Sequence, residues 1–207
     1  MRSKTTLTPA FFLLFWAAAA VAAEVPISVG GFTLDRPIEE FADRVLMETA
    51  LPVRYMENFQ EVEIRPIAGF KSGLIAFATC IDPDRIVRIK LKYADESVEF
   101  FEKLLQRFKS RFGEPSEYRG DPFKNFISWK WSFSDPKGNR VSLTLQHNVV
   151  DEDEKMGNAV KLTLINRAEE DERCFRDSQQ DDKGKARRSQ RAPRKPGTPD
   201  WDLYVPR

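Results

Sequence analysis

Four stretches of the chain alternate apolar and polar residues with a period of two, the pattern of antiparallel strands that are dry on one face and wet on the other. Val87, Ile89, Leu91 and Tyr93 point one way against Arg88, Lys90 and Lys92. Ile127, Trp129, Trp131 and Phe133 oppose Ser128, Lys130 and Ser132. Val141, Leu143 and Leu145 oppose Ser142, Thr144 and Gln146, and Val160, Leu162 and Leu164 oppose Lys161 and Thr163. Val62 to Pro66 and Leu74 to Ile81 add two less regular strands. Between these runs, Val98, Phe101, Leu104, Leu105, Phe108 and Phe112 recur at helical spacing; Asp95 or Ser97 can cap the start, and Gly113 with Pro115 stops the helix. A weaker helix is expected from Asp35 or Arg36, with Pro37 in its first turn and Ile38, Phe41, Ala42 and Val45 on one face. The expected fold is therefore α+β, an antiparallel sheet of about six to eight strands with two helices on one face. Each half reads as strand, helix and meander, the order of a duplicated unit.

Composition changes the picture at the two ends. Residues 1–23 read as a secretory signal: Arg2 and Lys4 open it, an apolar run follows, and Ala20, Val21 and Ala22 supply small residues for cleavage after Ala22 or Ala23. The apolar run from Ala10 to Ala23 is 14 residues, short of the ~20 a bilayer-spanning helix needs. No cysteine follows it to carry a lipid. The expected location is periplasmic or secreted. The formal charge of +1 averages unlike pieces, since residues 24–174 carry an excess of acids whereas residues 175–207 are basic. That boundary separates a single domain, residues 24–174, from a basic, proline-containing tail expected to be disordered, because it holds too few apolar side chains to offset the entropy of ordering.

Export gives the two cysteines a specific reading. Cys80 closes an apolar strand, Cys174 follows the last expected strand, and an oxidising compartment lets the pair bridge. Closing so long a loop is worth roughly 4 to 5 kcal/mol in the chain-entropy picture. Two cysteines and one histidine do not make a zinc site, and no Cys-x-x-Cys redox motif is present.

Catalytic motifs are absent from the sequence: no Gly-x-Ser-x-Gly elbow, no phosphate-binding Gly-Lys loop, no His-Glu-x-x-His and no dinucleotide fingerprint. No cofactor is expected. The single histidine, His147, shares the inward parity of Val141, Leu143 and Leu145 and reads as structural. Asp151 to Glu154 reads as a solvated hairpin loop, since Lys155 and Met156 break the calcium-loop pattern. Trp129 and Trp131 read as core residues rather than a glycan-stacking platform. Arg88, Lys90, Lys92 and Lys130 would form a basic stripe if their strands were neighbours. In the tail, Lys183, Lys185, Arg187, Arg188, Arg191, Arg194 and Lys195 form a run of positive charge with no acid among them, a candidate polyanion-binding segment. Trp201 to Pro206 adds a terminal apolar patch. Nucleic acid is not an expected partner after export.

Gly30-Gly31-Phe32-Thr33-Leu34, the phenylalanine-rich helix ending Phe112-Gly113-x-Pro115, and Trp129-x-Trp131 followed by two alternating strands resemble uncharacterised bacterial exported α+β envelope proteins that carry a signal peptide. The resemblance spans roughly residues 30–166 and implies a fold type more than an activity. By element order only, the chain is also similar to small envelope proteins that bind other proteins through duplicated helix-and-sheet modules, such as beta-lactamase inhibitor protein; no binding residues carry over. The expected function is an exported, non-enzymatic binding or accessory module of the bacterial cell envelope, its partner an envelope protein or an anionic envelope surface. The alternative is a periplasmic enzyme acting on cell-wall glycans or peptides.

Overall fold

The computed structural model describes residues 25–123, 125–149 and 157–190, with the backbone alone for 181–190. The expected signal, the Asp151–Glu154 loop and the Trp201–Pro206 patch therefore lie outside the described residues. A short hairpin opens the fold, with β1 (Ser28–Val29) and β2 (Phe32–Thr33) joined at Gly30 and Gly31. Both glycines have positive φ, 59° and 78°, the backbone of a two-residue hairpin turn whose twist suits the flanking strands. The Gly30 and Gly31 carbonyls accept hydrogen bonds from Arg44 (2.9 and 2.7 Å), and a Cβ on Gly31 would meet that guanidinium.

Next come a single 3-10 turn, Ile38–Phe41, and four strands, β3 (Val45–Val53), β4 (Met56–Ile64), β5 (Phe70–Ala78) and β6 (Ile86–Tyr93). Helix α1 (Val98–Phe112) leads to β7 (Glu117–Gly120), β8 (Phe126–Ser134), β9 (Arg140–Asn148) and β10 (Gly157–Leu164), and α2 (Ile165–Gln190) follows at once. The large sheet has eight antiparallel strands in the order β3-β4-β5-β6-β10-β9-β8-β7. Each meander thus ends at the centre of the sheet. The halves mirror one another about the β6–β10 pair, a helical element followed by four strands in each.

The α+β class and the single large antiparallel sheet agree with the alternation in the sequence; the helices do not match the expected pair. The weak helix after Asp35 is only a 3-10 turn, because Arg44 is held against the β1–β2 turn and Val45 already pairs with Ile64 in β3. The second helix is α2, and it lies on the opposite face from α1. Phe101, Phe108 and Phe112 of α1 pack on His147, Trp131 and Phe133 of the front face, which with Ile75, Ile89, Leu91 and Leu145 forms the main core. Ala168 of α2 packs instead on Val53, Phe59, Ala76, Ala78 and Val87, a smaller cluster on the back face. Val87 reaches that cluster because the β5–β6 register shifts beside it, which places Ile86 in the main core and turns Val87 away from the side expected from its parity with Ile89.

Helix α2 runs on to Gln190, past the expected boundary at residue 174. A composition too polar to build a core still propagates a helix once its first turns are anchored, and Gln, Lys, Arg and Ala lose little side-chain freedom there. Proline does not appear until Pro193.

Candidate functional site

The site follows from the strand order. Lys90 on β6 and Lys130 on β8 are not on neighbouring strands, but β10 and β9 between them continue the polar row. Across the back face, Lys90, Lys161, Thr144, Lys130 and Glu117 lie in register. The adjacent rows are Arg88, Thr163, Ser142 and Ser132, and Lys92, Ala159, Gln146, Ser128 and Arg119. Period-two alternation brings each of these residues to the same face.

Short side chains at the centre and long ones around them make a groove of about 440 Å³. Its floor is hydroxyl-bearing, with Ser128, Ser142 and Thr144 almost fully buried, and its rim carries Arg88, Arg119, Lys130 and Lys161, with Phe126 at one end. Glu117 is the single acid in the described lining. It accepts from Arg119 Nε at 2.6 Å and from Lys130 Nζ at 3.3 Å, and these hydrogen bonds, that from Arg119 first, hold its carboxyl below the ordinary range. Arg88 is partly buried and donates to the Met56 sulfur at 3.5 Å. Burial lowers its pKa, and Glu61 across the face opposes that shift. A second depression of about 200 Å³, lined by Glu63, Ser72, Gly73, Leu74, Lys90 and Lys92, extends the basic face over β4 and β5. Four cations around a hydroxyl floor are suited to holding an anion, and the described lining contains neither histidine nor cysteine to act as nucleophile or base.

His147 stands elsewhere. It is 2% exposed beneath α1, its ring 5.6 Å from that of Phe101 and its Nδ1 2.8 Å from Asn158 Oδ1. The Asn158 amide donates to the carbonyls of Asp95 (2.9 Å) and Ser97 (2.8 Å), which orients its oxygen towards the imidazole, so Nδ1 carries the proton and donates. Ser97 in turn caps α1 by accepting from Phe100 N. Imidazole and amide therefore tie β9 and β10 to the start of the helix. Trp131 is buried and donates to the Gly113 carbonyl at 2.8 Å, whereas Trp129 is half-buried between Tyr118 and Lys109.

Sequence reasoning missed two residues that decide how the two faces of the sheet are covered. One is Asn158, an amide placed in a strand. The other is Asp171, fully buried on α2, whose carboxylate accepts from the backbone N–H of Cys80 and Ile81 at 2.8 Å each, from Thr79 N at 3.4 Å and from Asn58 Nδ2 at 3.3 Å. One helical turn on, the Cys174 sulfur lies at disulfide distance from Cys80, 1.93 Å, as expected from the sequence. The only signal available for Asp171 was its spacing of three from Cys174. Of the candidate tail cations, Lys183, Lys185, Arg187 and Arg188 fall on the α2 backbone, while Arg191, Arg194 and Lys195 lie outside the described residues.

No protein-family model, curated protein or solved structure matches the chain.

Proposed function

We propose that the protein is an exported, non-enzymatic binding or accessory module of the bacterial cell envelope, periplasmic or secreted, whose open back face receives a carboxylate- or phosphate-bearing envelope polymer. The observation that carries this reading is the groove itself, a hydroxyl floor inside a rim of Arg88, Arg119, Lys130 and Lys161. Charged rims of this kind act mainly through on-rate and orientation, and their attraction fades beyond a Debye length of ~8 to 10 Å. The basic run from Lys183 to Lys195 would add affinity without selectivity. A cysteine pair at disulfide distance is compatible with export, and no described helix is long and apolar enough to cross a membrane.

The test is retention of the exported chain on a polyuronate matrix across a salt series. Lys130→Gln with Lys161→Gln should lower the salt concentration needed for elution, and truncation after Gln180 should lower it further. Retention unaffected by the double substitution would refute the groove as the site, and an absence of retention at low salt would refute the reading altogether.

A further inference from the structure

The front face holds a second opening that the anion-binding groove does not use. Where α1 and the β1–β2 hairpin fail to meet, a cleft of about 540 Å³ descends to the central strands, within the ~300 to 1,000 Å³ typical of small-ligand sites. Its floor is aliphatic and buried, formed by Leu143, Val160 and Leu162. Its walls are the half-buried Val29, Leu104, Phe108, Phe112 and Tyr93. Its lip is polar and exposed, with Arg107 and Arg111 on α1, and Ser28 and Ser110.

The two arginines are the informative part. They stand one turn apart on the same flank of α1, a like-charge spacing that costs an isolated helix stability. Arg111 lies in the last turn, where a cation complements the helix dipole, and stacks on Phe112 at 5.5 Å. Arg107 has neither reason for its place: it lies outside the last turn, and among the described residues it has no ion pair, hydrogen bond or ring contact. A buried aliphatic floor with a doubly cationic lip is the complement of a molecule with an apolar chain and one anionic end.

We propose that this cleft binds a free long-chain fatty acid, its chain on Leu143, Val160 and Leu162 and its carboxylate between Arg107 and Arg111. The serines at the lip, Ser28 and Ser110, supply further donors to the head group. The site is separate from the back-face groove and stands whether or not that groove binds a polymer.

Titration of the exported chain with hexadecanoate below its micelle concentration, followed by calorimetry, tests the assignment. One molecule should bind per chain, and octanoate should bind at least roughly a hundredfold more weakly because it buries eight fewer methylenes. Hexadecanol, which keeps the chain and lacks the charge, should bind about tenfold more weakly. Arg107→Glu with Arg111→Glu should weaken hexadecanoate by about tenfold or more while leaving hexadecanol unchanged, a result that misfolding does not produce. Lys130→Gln with Lys161→Gln should leave hexadecanoate binding intact. The proposal is overturned if the wild-type chain does not bind hexadecanoate, if the charge reversal has no effect, or if the back-face substitutions abolish binding. It is also overturned if binding appears only after residues 191–207 are removed, which would assign the cleft to the chain's own Trp201–Val205 segment.

Discussion

The β3–β6 and β7–β10 meanders share a topology and differ in how their back faces are treated. Over β4, β5 and β6 the back-facing positions include Phe59, Ala76, Ala78 and Val87, and α2 covers them with Ala168 while Asp171 and the Cys80–Cys174 pair hold it down. Over β8, β9 and β10 the equivalent face presents Ser128, Lys130, Ser142, Thr144 and Lys161, and it stays open as the groove. The front faces differ in the opposite sense. The second meander carries the 15-residue helix α1, and the first is closed by a 3-10 turn and a two-strand hairpin. Each half therefore has one face under an α-helix, and the two helices lie on opposite faces. In this fold a face is open where it is lined by hydroxyls and cations, and covered where it is lined by alanine, valine and phenylalanine.

Matched substitutions on the back face give the largest expected contrast. Phe59→Ala, beneath α2, should cost roughly 3 to 5 kcal/mol in urea unfolding, the usual range for emptying a packed aromatic site. Ser142→Ala, on the open half, should cost under about 1 kcal/mol. Equal losses would mean that the two halves are covered alike. Asp171→Ala should follow, at roughly 3 kcal/mol, since it strands the N–H groups of Cys80 and Ile81 beneath α2. If Asp171→Ala unfolds at the wild-type urea concentration, α2 is held by the cysteine pair rather than by the carboxylate.

On the front face, Asn158→Ala should cost on the order of 2 to 3 kcal/mol by leaving two carbonyls and an imidazole N–H without partners. A loss below that of His147→Ala would show that the amide is not the joint between sheet and helix. Tyr93 offers a smaller, pH-dependent signal. It stacks on Phe70 at 5.0 Å beside Phe100, and burial pushes its phenol up to about 12. The unfolded chain ionises this group near ~10, so it loses protons first. The sign follows directly: stability is fully retained below ~10 and declines as pH rises from there through about 12. Phenolate absorbance of Tyr93→Phe against wild type should lack the latest-titrating step, and a wild-type titration complete near 10 would contradict the burial. The smallest effect should come from Lys130→Gln with Lys161→Gln, within about 0.5 kcal/mol in stability, so that any change in polyanion retention reports binding and not folding.

How much was legible varied with the range of the interaction. Residues 86–93, 126–134, 140–148 and 157–164 were readable as strands because alternation is local, and α1 because its stripe, its Ser97 cap and its Gly113 stop lie within one segment. The strand β3 was not readable. It is an edge strand whose pairing with β4 shifts register between Leu46 and Leu51 and which includes Pro52, so its alternation is broken. The basic stripe was legible as a list of residues but not as a site, because Lys161 joins Lys90 to Lys130 only through the order β6-β10-β9-β8.

Local periodicity and composition by themselves determined the α+β class, the wet and dry faces of the central strands, and the cysteine pair as the one bridge available. They did so because hydrophobic burial acts residue by residue and repeats at the spacing of the backbone. Only the tertiary structure decided which face α2 would cover, that Asp171 would sit on three backbone amides, and that His147 would hydrogen-bond Asn158 beneath α1. These outcomes depend on contacts between residues as far apart as Cys80 and Cys174, separated by 94 positions, and no short-range pattern encodes which of two faces a distant helix will reach.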